Sequence, residues 1–196
     1  MWKYIAVGLI SLIGFFSWCS HRPLHHGPGI IAPSVPVQEA IKDAESFQYK
    51  DYTVKPLASF KLTARVLSSK RYRFDRGADL SPIDLALGWG PMSDEAVLNE
   101  LKISQMGRFF YWETDGQLPI PVEQIYANAS NMHMIPADKY IRKTLFKVRP
   151  GQLIAIKGYL VSVTGKGGMT WQSSLSRTDT GRGACELIWV EDASII

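Results

Sequence analysis

Residues 147–191 read KVRPGQLIAIKGYLVSVTGKGGMTWQSSLSRTDTGRGACELIWVE, and no other stretch limits the possible folds as strongly. The Arg149-Pro150-Gly151 turn opens a strand predicted over 152–163. A glycine turn at 165–168 leads into a second strand over 169–174. A polar loop, 175–183, then leads into a third over 184–190. Consecutive strands joined by glycine-rich corners predict a meander that closes a small barrel.

Composition sets the frame around that stretch. The chain has 196 residues, 46% hydrophobic and 20% charged, which predicts one core-forming domain plus an appendage and excludes disorder. A net charge of +4 permits an anionic partner without requiring one. Cys19 and Cys185 are the two cysteines, and they imply no disulfide framework.

The appendage is N-terminal. Residues 1–19 read MWKYIAVGLISLIGFFSWC, and the apolar run over 4–18 spans roughly 24 Å as a helix, against a bilayer core of about 30 Å. Trp2 and Trp18 stand at its ends, where amphipathic rings favour the interface. A cleaved signal peptide competes with an uncleaved anchor, but the small-residue cleavage pattern is missing before Cys19. A buried helix of a soluble protein is the third alternative. Lys3 and the free amino terminus orient the segment with its N-terminus inside. The expectation is a single-pass signal anchor in the inner membrane with a periplasmic or extracellular domain. Residues 20–36, rich in Pro and Gly, predict an extended, semi-stiff linker before a globular β-rich domain over 37–196. His21, His25 and His26 in that linker are read as incidental rather than as metal ligands.

Within the domain, 37–47 has the spacing of a short amphipathic helix, and alternation over 52–68 predicts a half-buried strand. Ser81-Pro82 predicts a helix through Leu87, followed by a glycine-flanked loop that presents Trp89. Ser93 is read as the cap of a helix over 94–101, and 103–113 reads as one aromatic-rich strand. One or two helical turns over 121–128, a strand over 131–135 and a helix over 138–148 follow. The expected class is therefore α+β: a small, bent antiparallel sheet or barrel with a few short helices. The arrangement over 149–190 resembles an oligonucleotide/oligosaccharide-binding barrel in outline, a likeness of fold that implies no single function.

No catalytic signature with a known mechanism is present, and no cofactor or metal is called for. The loop over 173–183 is the most polar connection between core strands. Its Arg177 and Arg182 are suited to holding a carboxylate or phosphate, while Asp179 can equally pair with an arginine and order the loop. His133, flanked by two methionines, needs a nearby acid such as Asp179 or Glu186 to act as a base. Cys185 reads as a small buried hydrophobe. Trp89, Trp112, Trp171 and Trp189 either fill the core or line a groove, with Trp89 the expected exposed one. The basic and aromatic stretch 70–76 is read first as a solvated strand end.

Three functions follow. The leading one is a membrane-anchored binding or scaffold module that takes a partner protein or an anionic ligand through Trp89, Arg177, Asp179 and Arg182. The second is a hydrolase using His133 with Asp179 or Glu186, and whether the protein is an enzyme stays open. The third is single-stranded nucleic-acid binding through 70–76 and 142–149.

Overall fold

The computed structural model describes residues 22–176 and 184–196. The molecule is sheet-dominated and is organised by one strand, β3, twenty residues long (Tyr52–Arg71). Along 53–65 one edge of β3 pairs with β8 (Leu153–Thr164). Its other edge takes three partners in turn: β2 (Phe47–Tyr49), β1 (Val37–Ala40) and, from Arg65 onward, β4 (Ile83–Gly88). Two bulges, between Pro56 and Ala58 and between Val66 and Ser68, bend β3 so that one strand can serve partners in different directions.

β4 pairs with β7 (Ala129–Pro136), and β7 runs parallel to β10 (Glu186–Ile195). β10 returns antiparallel to β8, which closes the ring β3-β4-β7-β10-β8 through hydrogen bonds. β9 (Thr170–Gln172) continues the edge of β8 where β10 leaves it. The final strands are therefore not a simple meander: β8 sits between β3 on one edge and β10 with β9 on the other. Among the described residues three short helices accompany the sheet: α1 (Glu95–Leu98), α2 (Val122–Asn128) and α3 (Lys139–Lys147). The hairpin β5 (Lys102–Met106) and β6 (Phe109–Glu113) forms a separate small sheet.

The core inside the ring holds Phe60, Leu62, Leu85, Leu87, Met132, Met134, Ile156 and Ile188, closed at one end by Leu145 and Val148 from α3 and its exit. A second apolar cluster lies on the outside, where Trp189 meets Phe47 and Tyr49 edge to face at 4.9 and 4.7 Å. Ring closure depends on Gly158. A Cβ there would stand 1.9 Å from the Trp189 carbonyl oxygen, beside the bulge between Val190 and Asp192. Gly158→Ala is expected to lower stability by about 3 kcal/mol through this backbone collision. A lower urea midpoint at unchanged slope would show it, and an unchanged midpoint would refute it.

Several expectations need correction. No helix forms over 37–47: residues 37–40 are the edge strand β1, and 41–46 connect it to β2, which begins at Phe47, because β3 offers an unpaired edge whose backbone groups outweigh a weak local preference. Residues 83–88 are a strand, not a helix. Every residue of β4 is buried, so the usual alternation is erased and the Ser81-Pro82 signal misleads. The predicted strand over 103–113 is a hairpin that turns at Gly107-Arg108. The α1 cap is Asp94, whose carboxylate accepts from the Ala96 amide, not Ser93.

The segment before β1 is extended, as its composition suggests, but it is bonded to the body along its length. Gly29 N donates to Asp94 Oδ1 (2.8 Å), Ala32 N to Ser93 Oγ (3.0 Å) and His26 N to Glu95 Oε2 (3.0 Å). His25 and His26 are spent on these contacts, with Nδ1 of His25 2.9 Å from Glu95 and Nε2 of His26 2.7 Å from the Gly151 carbonyl. Residues 1–21 lie outside the described residues. Among the described residues, no helix is long and apolar enough to cross a membrane.

Candidate binding cleft

Alternation along paired strands decides which side chains leave the core. In β4 and β7, Ile83, Leu85, Leu87, Met132 and Met134 point inward. Asp84, Asn131 and His133 therefore project from the outer face. Asp84 and His133 are direct cross-strand partners, and Ala86 faces Asn131. The β5–β6 hairpin docks on this face through Asn131, which accepts from Gln105 Nε2 (2.6 Å) and donates to the Arg108 carbonyl (2.8 Å).

Docking brings Arg108 over the outer face. Gly107 and Arg108 both have positive φ, 58° and 68°, as a two-residue primed hairpin turn requires. That conformation is costly for arginine, and its side chain is held by an unusual number of partners. Nε and Nη2 donate to Asp75 as a fork, both at 2.8 Å, while Nη1 donates to Asp84 and Nη2 to the Ser81 carbonyl, each at 3.1 Å. The guanidinium lies between two rings, 4.1 Å from Tyr72 and 5.1 Å from Trp171. Gly77 lets the β3–β4 loop approach, since a Cβ there would meet Trp171 at 2.8 Å.

The charges answer this geometry. The Arg108 hydrogen bonds lower the Asp75 pKa against the opposing effect of burial. Burial, reinforced by the Asp84 charge, pushes the Tyr72 hydroxyl up to about 12. Asp84 is fully buried, and its Oδ1 also lies 2.9 Å from His133 Nδ1, close enough for an ion pair but off the direction of a hydrogen bond. Beside this cluster runs a cleft. One part, about 380 Å³, is lined by Arg108, Phe109, His133, Trp171, Gln172 and Cys185. The adjoining part, about 460 Å³, is lined by Asp75, Arg76, Arg108, Met169, Thr170 and Trp171.

The predicted site residues separate on this map. His133 and Cys185 meet in the cleft, and the Cys185 thiol reaches toward the Arg108 carbonyl at 3.9 Å. Glu186 is on the opposite face: it aligns with Met132, is 2% exposed, and accepts a hydrogen bond from Ser130. It therefore does not converge with His133, whose acidic neighbour is Asp84. Arg177, Asp179 and Arg182 lie outside the described residues. Trp89 is 2% exposed, in the inner core, because the short helical turn Gly90–Ser93 folds back beside it and the arm covers that turn through the Gly90 amide and the Ala32 carbonyl. Of Trp89, Trp112, Trp171 and Trp189, Trp171 is the one that lines the cleft.

Sequence reasoning missed Asp84 and Arg108. A single acid within PIDLALG and a glycine in the middle of an aromatic strand were the available signals, the second pointing to a two-residue hairpin. Among the described residues, no group of three or more His, Cys, Asp and Glu side chains could hold a metal. What fold and cleft define is a class: a closed-ring β-sheet body carrying an aromatic and polar cleft on its outer face. No family model, curated protein or solved structure matches the chain.

Proposed function

We propose that the protein is a membrane-tethered binding module, and that its cleft takes a ring-bearing ligand of the oligosaccharide type. The observation that carries this reading is the ring order β3-β4-β7-β10-β8, with α3 between β7 and β8. That order resembles the plan of a five-stranded oligonucleotide/oligosaccharide-binding barrel, a fold that uses the outer face of its second and third strands and the loops beside it. Here those strands are β4 and β7, and the flanking segments supply Asp75 and Arg76 on one side and Thr170, Trp171 and Gln172 on the other. The likeness is one of fold, so the ligand class is argued from the cleft. An indole beside planar polar side chains offers a ring platform with hydrogen-bonding groups around it. Asp75 and Asp84 offset Arg108 and Arg76, so this part of the cleft is not strongly cationic, which favours a sugar over a nucleic-acid strand. The tether is the apolar run over 4–18, and it supports a body held at the inner membrane on its periplasmic or extracellular side.

Calorimetric titration of the full chain in detergent, with chito-oligosaccharides and with a short single-stranded oligonucleotide, tests the cleft. Saturable saccharide binding is expected, and Trp171→Ala should weaken it roughly tenfold, equivalent to about 1.4 kcal/mol. Binding that is indifferent to Trp171, or that occurs with the oligonucleotide alone, defeats the reading.

A further inference from the structure

The route of the N-terminal arm leads to a second site. Followed backward from β1, the arm passes Ser93, Asp94 and Glu95 and reaches the turn at 149–152, where the Leu24 amide donates to the Pro150 carbonyl at 2.9 Å. Gly151, at φ +88°, makes that approach possible, since a Cβ there would stand 1.9 Å from the Leu24 carbonyl oxygen. From Trp18, the last residue of the apolar run, to Leu24 the chain can extend at most about 20 Å.

The same turn walls a cavity of about 580 Å³. Its lining combines Arg71, Lys147 and Arg149 with Phe146, Val148 and Ile195, and among the described residues includes no acidic side chain. The fold assembles it from two distant basic stretches, the end of β3 and the end of α3. Arg71 donates to the Phe146 carbonyl and lies over the Phe146 ring at 4.8 Å, and Arg142 lies over the same ring at 4.4 Å. Several cations are thus gathered around one partly apolar hollow, beside the turn that holds Leu24.

We propose that this cavity seats the headgroup of an anionic phospholipid, so that the body rests with its basic face on the bilayer that residues 4–18 enter. The proposal rests on the membrane-tethered reading and is independent of the ligand in the cleft. Arginine and lysine side chains suit a lipid phosphate, and the Phe146, Val148 and Ile195 surface suits the glycerol and the first acyl carbons. A nucleic acid would also offer phosphate, but the short tether and the apolar floor both favour lipid.

The test places the full chain in nanodiscs of phosphatidylcholine alone or mixed with anionic phosphatidylglycerol. Acetylation of Lys147 is followed by mass spectrometry, with exposed Lys166 as the internal reference. Phosphatidylglycerol is expected to slow Lys147 roughly fivefold relative to Lys166, the factor implied by a surface attraction of about 1 kcal/mol per cation. High salt and Arg71→Glu should each restore the rate, while inorganic phosphate added to phosphatidylcholine discs should not reproduce the slowing. Insertion of the chain with equal Lys147 rates in both discs overturns this proposal alone. Slowing by inorganic phosphate, or by an oligonucleotide but not by phosphatidylglycerol, overturns it in favour of a soluble phosphate or a nucleic acid. Failure of the chain to stay in either disc overturns it together with the tether.

Discussion

Arg108→Ala is expected to destabilise the protein by about 3–5 kcal/mol, the range for removing one partner of a buried ion pair. The Arg108 side chain is 15% exposed, and Asp84, one of the two acids it serves, is fully buried. Without the guanidinium, the Asp84 charge keeps no cation fixed beside it among the described residues except His133 when protonated, and its Oδ2 already has no hydrogen-bond partner among them. Relief of the positive φ at position 108 by a smaller residue does not offset this, because alanine dislikes that region as arginine does. Urea unfolding measures the loss. Arg108→Lys should recover only part of it, since an ammonium cannot fork onto Asp75 while reaching Asp84. Combining Arg108→Ala with Asp84→Asn should cost less than the sum of the two, because no buried charge is then left alone. Strict additivity would mean that the two side chains do not interact.

The second large effect concerns Glu95, which joins the arm to the body. Burial pushes its carboxyl up, but hydrogen bonds from His25, Arg65 and the His26 amide, with the Arg65 charge, overcome that and hold the pKa at about 2. Arg65 is 4% exposed and its Nε has no hydrogen-bond partner among the described residues, so Glu95 is the acid that compensates it. Glu95→Ala is expected to cost about 3–5 kcal/mol. It should also free the arm around 25–29, seen as faster proteolysis there. The folded pKa lies below the ordinary value of 4.5, so the stabilisation is complete above about pH 4.5 and is lost as pH falls toward 2. In Glu95→Gln that acid-side slope should flatten. An unchanged slope would show that other carboxylates drive the acid transition.

Much of the fold was legible along the chain. The alternation over 52–68 marked β3, because one side of that strand faces the core for most of its length. Asp138 before a helical pattern marked α3, and its carboxylate does accept from the Tyr140 and Ile141 amides. β4 was illegible for the opposite reason: both of its faces are covered, so hydropathy does not alternate and a capping signal prevailed. The cleft was half legible. His133 and Cys185 stood out as chemical types, and Trp171 as an aromatic, but nothing along the chain joined them.

Local pattern was enough to predict a β-rich body with short helices, because strand alternation, caps and glycine turns are properties of neighbouring residues. Which residues share a site depended on pairing between strands far apart in sequence. The 84–133 and 132–186 registers placed His133 with Asp84 and turned Glu186 to the other face. The hairpin then carried Arg108 onto Asp75 and Asp84. A shift of one residue in either register would exchange the two faces, and that choice is made by burial across the whole ring rather than by any short stretch.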